Sequence, residues 1–185
     1  MTYGTRTDHY PPTSKLLHWL VAVCVLATAP VAIVMTSIEK GPTQDALYNL
    51  HKSLGVLIFV LMVLRLINRF AVGALAAETE IAPWQKKVSS IVHTLLYVLL
   101  LATPIVGYIA NSAYGARTPF FGLFELRGII GKNEWLATQL FTLHHWVGWL
   151  VIILALTHIS AALYHHFIRR DAVLKRMLPR AMGGF

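Results

Sequence analysis

Acidic residues and cysteine are scarce in this 185-residue chain, which has eight Asp and Glu against sixteen Lys and Arg, and a single Cys. One thiol, Cys24, excludes an internal disulfide, and its place inside an apolar run suits a small structural side chain. There is no Gly-rich phosphate loop, no nucleophile elbow and no pair of carboxylates placed for acid–base work. The few carboxylates lie outside the apolar runs, which argues against a carboxylate-driven proton pump. Charged residues make up only 13% of the chain, about half of what a soluble domain carries. From Trp135 to Ile168 there is no Lys, Arg, Asp or Glu at all.

What fills the space is apolar. Hydrophobic residues make up 56% of the sequence and mean hydropathy is +0.60, the signature of a membrane protein. Four runs are long enough to cross a hydrocarbon core of ~30 Å as helices: 16–38, 47–70, 88–111 and 141–168. The second carries Lys52, Arg65 and Arg69 near its ends, where long cationic side chains can reach the interface. The first is longer than the apolar core of a secretory signal, and cleavage after Ala27-Thr28-Ala29 would discard His18, so it is read as a span. The expected fold is all-α, one domain over residues 1–185, an integral membrane four-helix bundle. The longest connection, 112–140, has five glycines or prolines among aromatics and reads as a cap over one face, with a short helix near 134–140.

Orientation follows from the cations. Arg6, Lys15, Arg65, Arg69, Lys86, Lys87, Arg169, Arg170, Lys175, Arg176 and Arg180 would share one side, against Lys40, Lys52, Arg117, Arg127 and Lys132 on the other. Eleven against five places both termini in the cytoplasm and the 112–140 loop outside. The net charge of +8 is then topological bias plus contact with anionic lipid, which leaves no role for nucleic acid. The basic tail from Arg169 is expected along the cytoplasmic surface.

Ionisable side chains inside an apolar span are costly and usually line a site. His144 and His158 are fourteen residues apart, about four turns and ~21 Å of helix, so they face one way at two depths. His18 opens the first span at the inner level of His158, and His51 opens the second at the outer level of His144. Two imidazoles from different helices at one depth suit a six-coordinate b-type haem, whose iron takes a nitrogen on each face. A flat macrocycle lying on a helix also needs small neighbours one turn away. Ala22, Gly55, Gly148 and Ala162 follow His18, His51, His144 and His158 at i+4, whereas Tyr97, Trp149, Arg169 and Arg170 follow His93, His145, His165 and His166.

The pairs His18/His158 and His51/His144 are therefore the expected axial ligands of two haem irons. Covalent c-type attachment is excluded because C-x-x-C-H is absent. Zinc is a poor alternative, since His144 and His158 are too far apart to share an ion and adjacent His165 and His166 diverge on a helix. Arg65, fourteen residues after His51, faces the column at inner depth, where its guanidinium would match a haem propionate or else snorkel to the interface. Arg69 fits the snorkelling role better. His165, seven residues after His158, and His93 at similar depth are candidates for binding a quinone, or are simply interfacial.

Several segments together resemble the bacterial cytochrome b561 family. They are His18-Trp19-Leu20, 50–55 (LHKSLG), 62–65 (MVLR), 93–97 (HTLLY), 104–108 (PIVGY), and His144 through His158 to 164–167 (YHHF) and 171–177 (DAVLKRM). The resemblance spans nearly the whole chain. It implies a multi-pass protein of the bacterial inner membrane with two non-covalent b haems on the same histidine pairs, exchanging electrons with the quinone pool. Some members of the family take electrons from superoxide at the outer face, and related branches serve as cytochrome subunits of periplasmic redox partners.

The expected function is an oxidoreductase passing electrons between an outer-face donor, such as superoxide, and membrane ubiquinone. Its alternative is a membrane anchor and relay for a separate periplasmic redox protein docked on the 112–140 loop. Lys40, Lys52, Arg117, Arg127 and Lys132 would steer a small anion, partly offset by Glu39, Asp45, Glu125 and Glu134.

Overall fold

The computed structural model describes residues 10–73 and 81–178. Four long helices dominate it: α1 (Pro12–Ser37), α2 (Pro42–Val72), α3 (Pro83–Tyr114) and α4 (Glu134–Tyr164), the last continuing into a π-helical turn, His165–Arg169. Between α3 and α4 lie two short strands, β1 (Thr118–Phe120) and β2 (Phe124–Leu126). Arg6 and Arg180, two of the cations counted for orientation, lie outside the described residues.

Three of the helices begin at proline, whose fixed φ and missing N–H suit a first turn. The fourth is capped by Asn133, whose side chain accepts a hydrogen bond from the Leu136 N–H at 3.0 Å. With 26 to 32 residues each, the helices run about 39–48 Å, longer than the ~30 Å apolar core, so their ends project from it. All four are apolar enough to cross a membrane. Their large aliphatic side chains mostly point outward, Val23, Leu26, Val60, Ile67, Ile153 and Leu156 among them, as suits a lipid-facing surface.

Pairing is by hairpins. α1 packs against α2 and α3 against α4, the hairpins meet along α2 and α3, and α4 has few close backbone neighbours on α1 or α2. Val21 and Cys24 of α1 and Ile58, Leu61 and Met62 of α2 form the buried core, against which Tyr97, Leu100 and Leu101 of α3 pack. At the end bearing the termini, called inner below, Asn68 ties α2 to α1 through Ser14 (2.6 Å) and Thr13 (3.1 Å).

The expected short helix at 134–140 is instead the start of α4. Asn133 caps the helix ahead of the apolar run, and nothing between Leu140 and Phe141 interrupts the backbone ladder. The expected cap exists but is a β-hairpin, with Thr118 opposite Leu126 and Phe120 opposite Phe124. Phe121 and Gly122 turn it with positive φ (49° and 74°), a combination found in tight hairpins. Three buried polar side chains fasten it. Ser53 of α2 accepts from the Phe121 N–H (2.9 Å) and donates to the Pro119 carbonyl (3.1 Å). Asn111 donates to the Thr118 hydroxyl (2.9 Å), and the Ser112 hydroxyl accepts from the Ile129 and Ile130 N–H groups.

The tail does more than follow the surface. It folds back on α1, where the Trp19 indole N–H donates to the Met177 carbonyl (3.1 Å) and the buried Lys15 ammonium to the Leu178 carbonyl (2.7 Å).

Candidate functional site

The four i+4-selected histidines meet in two pairs. At the inner end the ring centres of His18 and His158 are 6.1 Å apart with planes crossing at 71°. At the outer end those of His51 and His144 are 5.9 Å apart at 86°. Imidazoles on opposite faces of one metal, with N–metal bonds of about 2.0 Å, have ring centres about 6 Å apart. Both pairs match that separation.

The outer pair opens on a cavity of about 1400 Å³ that also touches Gly55, Gly148, Thr28, Phe59, Phe141 and Trp149. This exceeds the space most small ligands occupy and suits a large flat group. A Cβ built on Gly55 or Gly148 would meet nothing within 4 Å, so each glycine faces open space one turn from its histidine. His144 is held from behind. Its Nδ1 lies 3.0 Å from the Thr103 carbonyl, which fixes Nδ1 as the protonated nitrogen and leaves Nε2 to bind. Among the described residues His51 has no such support, and its buried Nδ1 has no hydrogen-bond partner.

The inner level is more crowded. His93 stands beside His158, ring centres 5.1 Å apart, closer than His18 does. Its Nδ1 is 3.4 Å from the Ser89 hydroxyl. Arg65 is within electrostatic reach of His18, His93 and His158. Its Nε donates to the Tyr97 hydroxyl at 3.0 Å, while a terminal guanidinium nitrogen is buried with no partner among the described residues. Arg69, which is exposed, also lies over the Tyr97 ring, 5.5 Å from its centre.

His165 sits apart from this group. Among the described residues no ring contact joins it to His93 or His158. Its Nδ1 is 2.5 Å from Asp171, whose side chain is almost wholly buried and also caps the Val173 N–H. His145 turns away toward Trp146 and Trp149. No group of three or more metal-binding side chains occurs among the described residues.

On the outer surface, Arg117 pairs with Glu125 and Lys132 with Glu134, each at 3.0 Å and exposed. The hydrogen bond and charge of Glu134 hold the Lys132 ammonium above the usual lysine range. Local neutralisation leaves Lys40, Lys52 and Arg127 as the cations that could attract an anion, and Lys40 and Lys52 line the outer cavity.

Sequence reasoning missed Thr103, Gly107, Ser53, Tyr97 and Asp171 as supporting residues. A carbonyl acceptor leaves no mark in sequence, but Asp171, six residues after His165, could have been suspected as its orienting carboxylate.

A family model described as prokaryotic cytochrome b561 matches residues 9–180. Cytochrome b561 homolog 2 of Escherichia coli is 29% identical over 100% of this chain and 99% of its own length. Cytochrome b561 homolog 1 of the same organism is 29% identical over 94% and 98%. The probable superoxide oxidase CybB of Yersinia pestis is 27% identical over 90% and 94%. The outer cavity, the imidazole pairs across two hairpins and this match over nearly the whole length agree. The chain belongs to the prokaryotic cytochrome b561 family, as a haem-b-binding, multi-pass electron-transfer cytochrome of the inner membrane.

Proposed function

We propose that the chain holds two b haems, one between His18 and His158 and one between His51 and His144, and passes electrons from superoxide at the outer face to ubiquinone at the inner. The observation that carries this reading is the repetition of one spacing, near 6 Å, at both ends of the bundle. Bound haem supplies one-electron chemistry, and the protein supplies position and field. His144, oriented by the Thr103 carbonyl, and Gly55 and Gly148, which leave room, would seat the outer macrocycle. Both termini would lie in the cytoplasm, as the eleven-to-five division of cations supports.

Lys40 and Lys52, which outnumber Asp45 in the lining of the outer cavity, would attract superoxide, whose single charge needs little more than a positive mouth. On the inner side the Nδ1–H of His165 donates to Asp171, which leaves Nε2 free to exchange a proton with a quinone oxygen. His93, beside His158, is the second candidate for that contact.

The test is haem content of detergent-purified protein, followed by stopped-flow visible spectroscopy with superoxide, with and without a water-soluble ubiquinone. Two haems per chain, fast reduction and quinone-dependent reoxidation are expected. One haem per chain would sink the paired assignment. A dihaem protein inert to superoxide would favour a relay for a periplasmic redox protein, for which the exposed hairpin tip, Phe121, Leu123 and Phe124, provides a surface.

A further inference from the structure

Among the described residues Arg65 is a cation without an anion. No carboxylate among them pairs with it; its hydrogen-bond partner is a phenol, and three imidazoles lie within electrostatic reach. One of its terminal nitrogens is buried with no hydrogen-bond partner among the described residues. A buried charged donor left unpaired is costly, so such an arrangement persists where something absent from the polypeptide completes it.

What keeps the guanidinium from swinging out to water is Tyr97. This residue packs against the α1–α2 core, so its ring has little freedom. Its hydroxyl accepts from the Arg65 Nε at 3.0 Å. Its ring takes Arg65 and Arg69, whose guanidinium carbons lie 5.6 and 5.5 Å from the ring centre. With Nε occupied, the planar fork can only present its terminal N–H groups, the edge that meets a carboxylate.

We infer that Tyr97 is a positioning residue that presets Arg65 to receive a propionate of the inner haem, and thereby raises that haem's midpoint potential. This rests on the two-haem reading above. The sign follows from charge. A fixed cation beside the macrocycle disfavours the more positive, oxidised iron, and a guanidinium free to reach the headgroups has less effect.

The experiment is a redox titration of both haems in the detergent-purified dihaem protein, for wild type, Tyr97→Phe, Arg65→Leu and the double variant. The inner haem is identified as the one lost in His158→Ala. Arg65→Leu should lower the inner midpoint and leave the outer unchanged. Tyr97→Phe, which keeps the ring but removes the acceptor, should lower the same midpoint by a smaller step. In the Arg65→Leu background, Tyr97→Phe should add no shift.

If Arg65→Leu does not take up the inner haem, the unbranched Arg65→Met carries the same cycle, since it too removes the charge and every N–H that Tyr97 could hold. Tyr97→Phe that leaves both potentials unchanged, moves both haems alike, or still shifts the inner one when Arg65 is replaced would overturn the inference. An Arg65 variant that loses bound anionic lipid on mass analysis with unchanged potentials would also overturn it, assigning the cation to a phosphate headgroup instead. A wild-type protein with one haem would instead remove the two-haem reading itself.

Discussion

Gly107 of α3 lies so close to His144 of α4 that a Cβ built on it would stand 2.8 Å from the imidazole. One turn earlier on the same helix, the Thr103 carbonyl takes the Nδ1 of that ring. α3 thus offers a socket for one histidine, with a hydrogen-bond acceptor at one end and a missing side chain at the other. The ring cannot retreat from an added methyl group without breaking the bond that orients it.

Gly107→Ala should therefore act on the outer site more than on the fold. Overpacking of this kind costs about 1–3 kcal/mol, and the ring must turn to accommodate it. Haem content should fall toward one per chain, with the remaining spectrum matching that of His144→Ala. A Gly107→Ala protein with two haems and unaltered spectra would show that the ring has room to move.

The near-perpendicular imidazole planes, 71° and 86°, have a spectroscopic consequence if haem binding preserves them. Crossed ligand planes leave the two iron orbitals that overlap the imidazoles nearly equal in energy. Low-temperature EPR of the oxidised protein should then show highly anisotropic low-spin signals for both haems. Well-resolved rhombic signals would mean that the rings rotate toward parallel on binding.

Ser53 is the bolt between the outer hairpin and α2, two residues from His51. Ser53→Ala would strip the Phe121 N–H of its partner inside a buried contact, at a cost of about 1–3 kcal/mol. Because the loss is local, the hairpin should loosen before the bundle does. Amide exchange over 118–126 should speed up while the helices stay protected. Uniformly faster exchange throughout would show that the hairpin is part of the global unfolding unit.

These cases also show what the sequence could and could not disclose. The four spans and the two histidine pairs were readable because a helix converts spacing into direction. Fourteen residues is nearly a whole number of turns, and small i+4 neighbours mark the faces that need room. The hairpin was not readable. Its strands are three residues each, too short for an alternation to emerge; one anchor, Ser53, lies on a helix far away in sequence, and nothing marks Asn111 and Ser112, near the end of α3, as anchors. Tyr97 was misleading for a related reason. Its bulk one turn from His93 argued only that no macrocycle lies there, and its hold on Arg65 depends on α2 and α3 packing side by side.

Asp171 supplies the last test, on the proton side of the reaction. It is almost wholly buried and its carboxylate meets the His165 Nδ1, so the histidine is held in one tautomer, protonated at Nδ1. Arg169 also approaches this carboxylate, at 3.7 Å, and tempers its charge without displacing it. Asp171→Asn keeps the shape but replaces a charged acceptor with an amide that can present either end. If His165 exchanges a proton with the quinone, the chemistry at the outer face should be unaffected and quinone reduction should slow, since a positioned acid or base contributes about 10²–10⁴-fold. Stopped-flow traces should show haem reduction by superoxide at the wild-type rate and quinone-dependent reoxidation slower by about tenfold or more. His165→Ala should slow the same phase at least as much, and adding Asp171→Asn to it should change nothing further. Equal slowing of both phases would point to a damaged inner haem, and wild-type reoxidation in Asp171→Asn would move the proton-exchange role to His93.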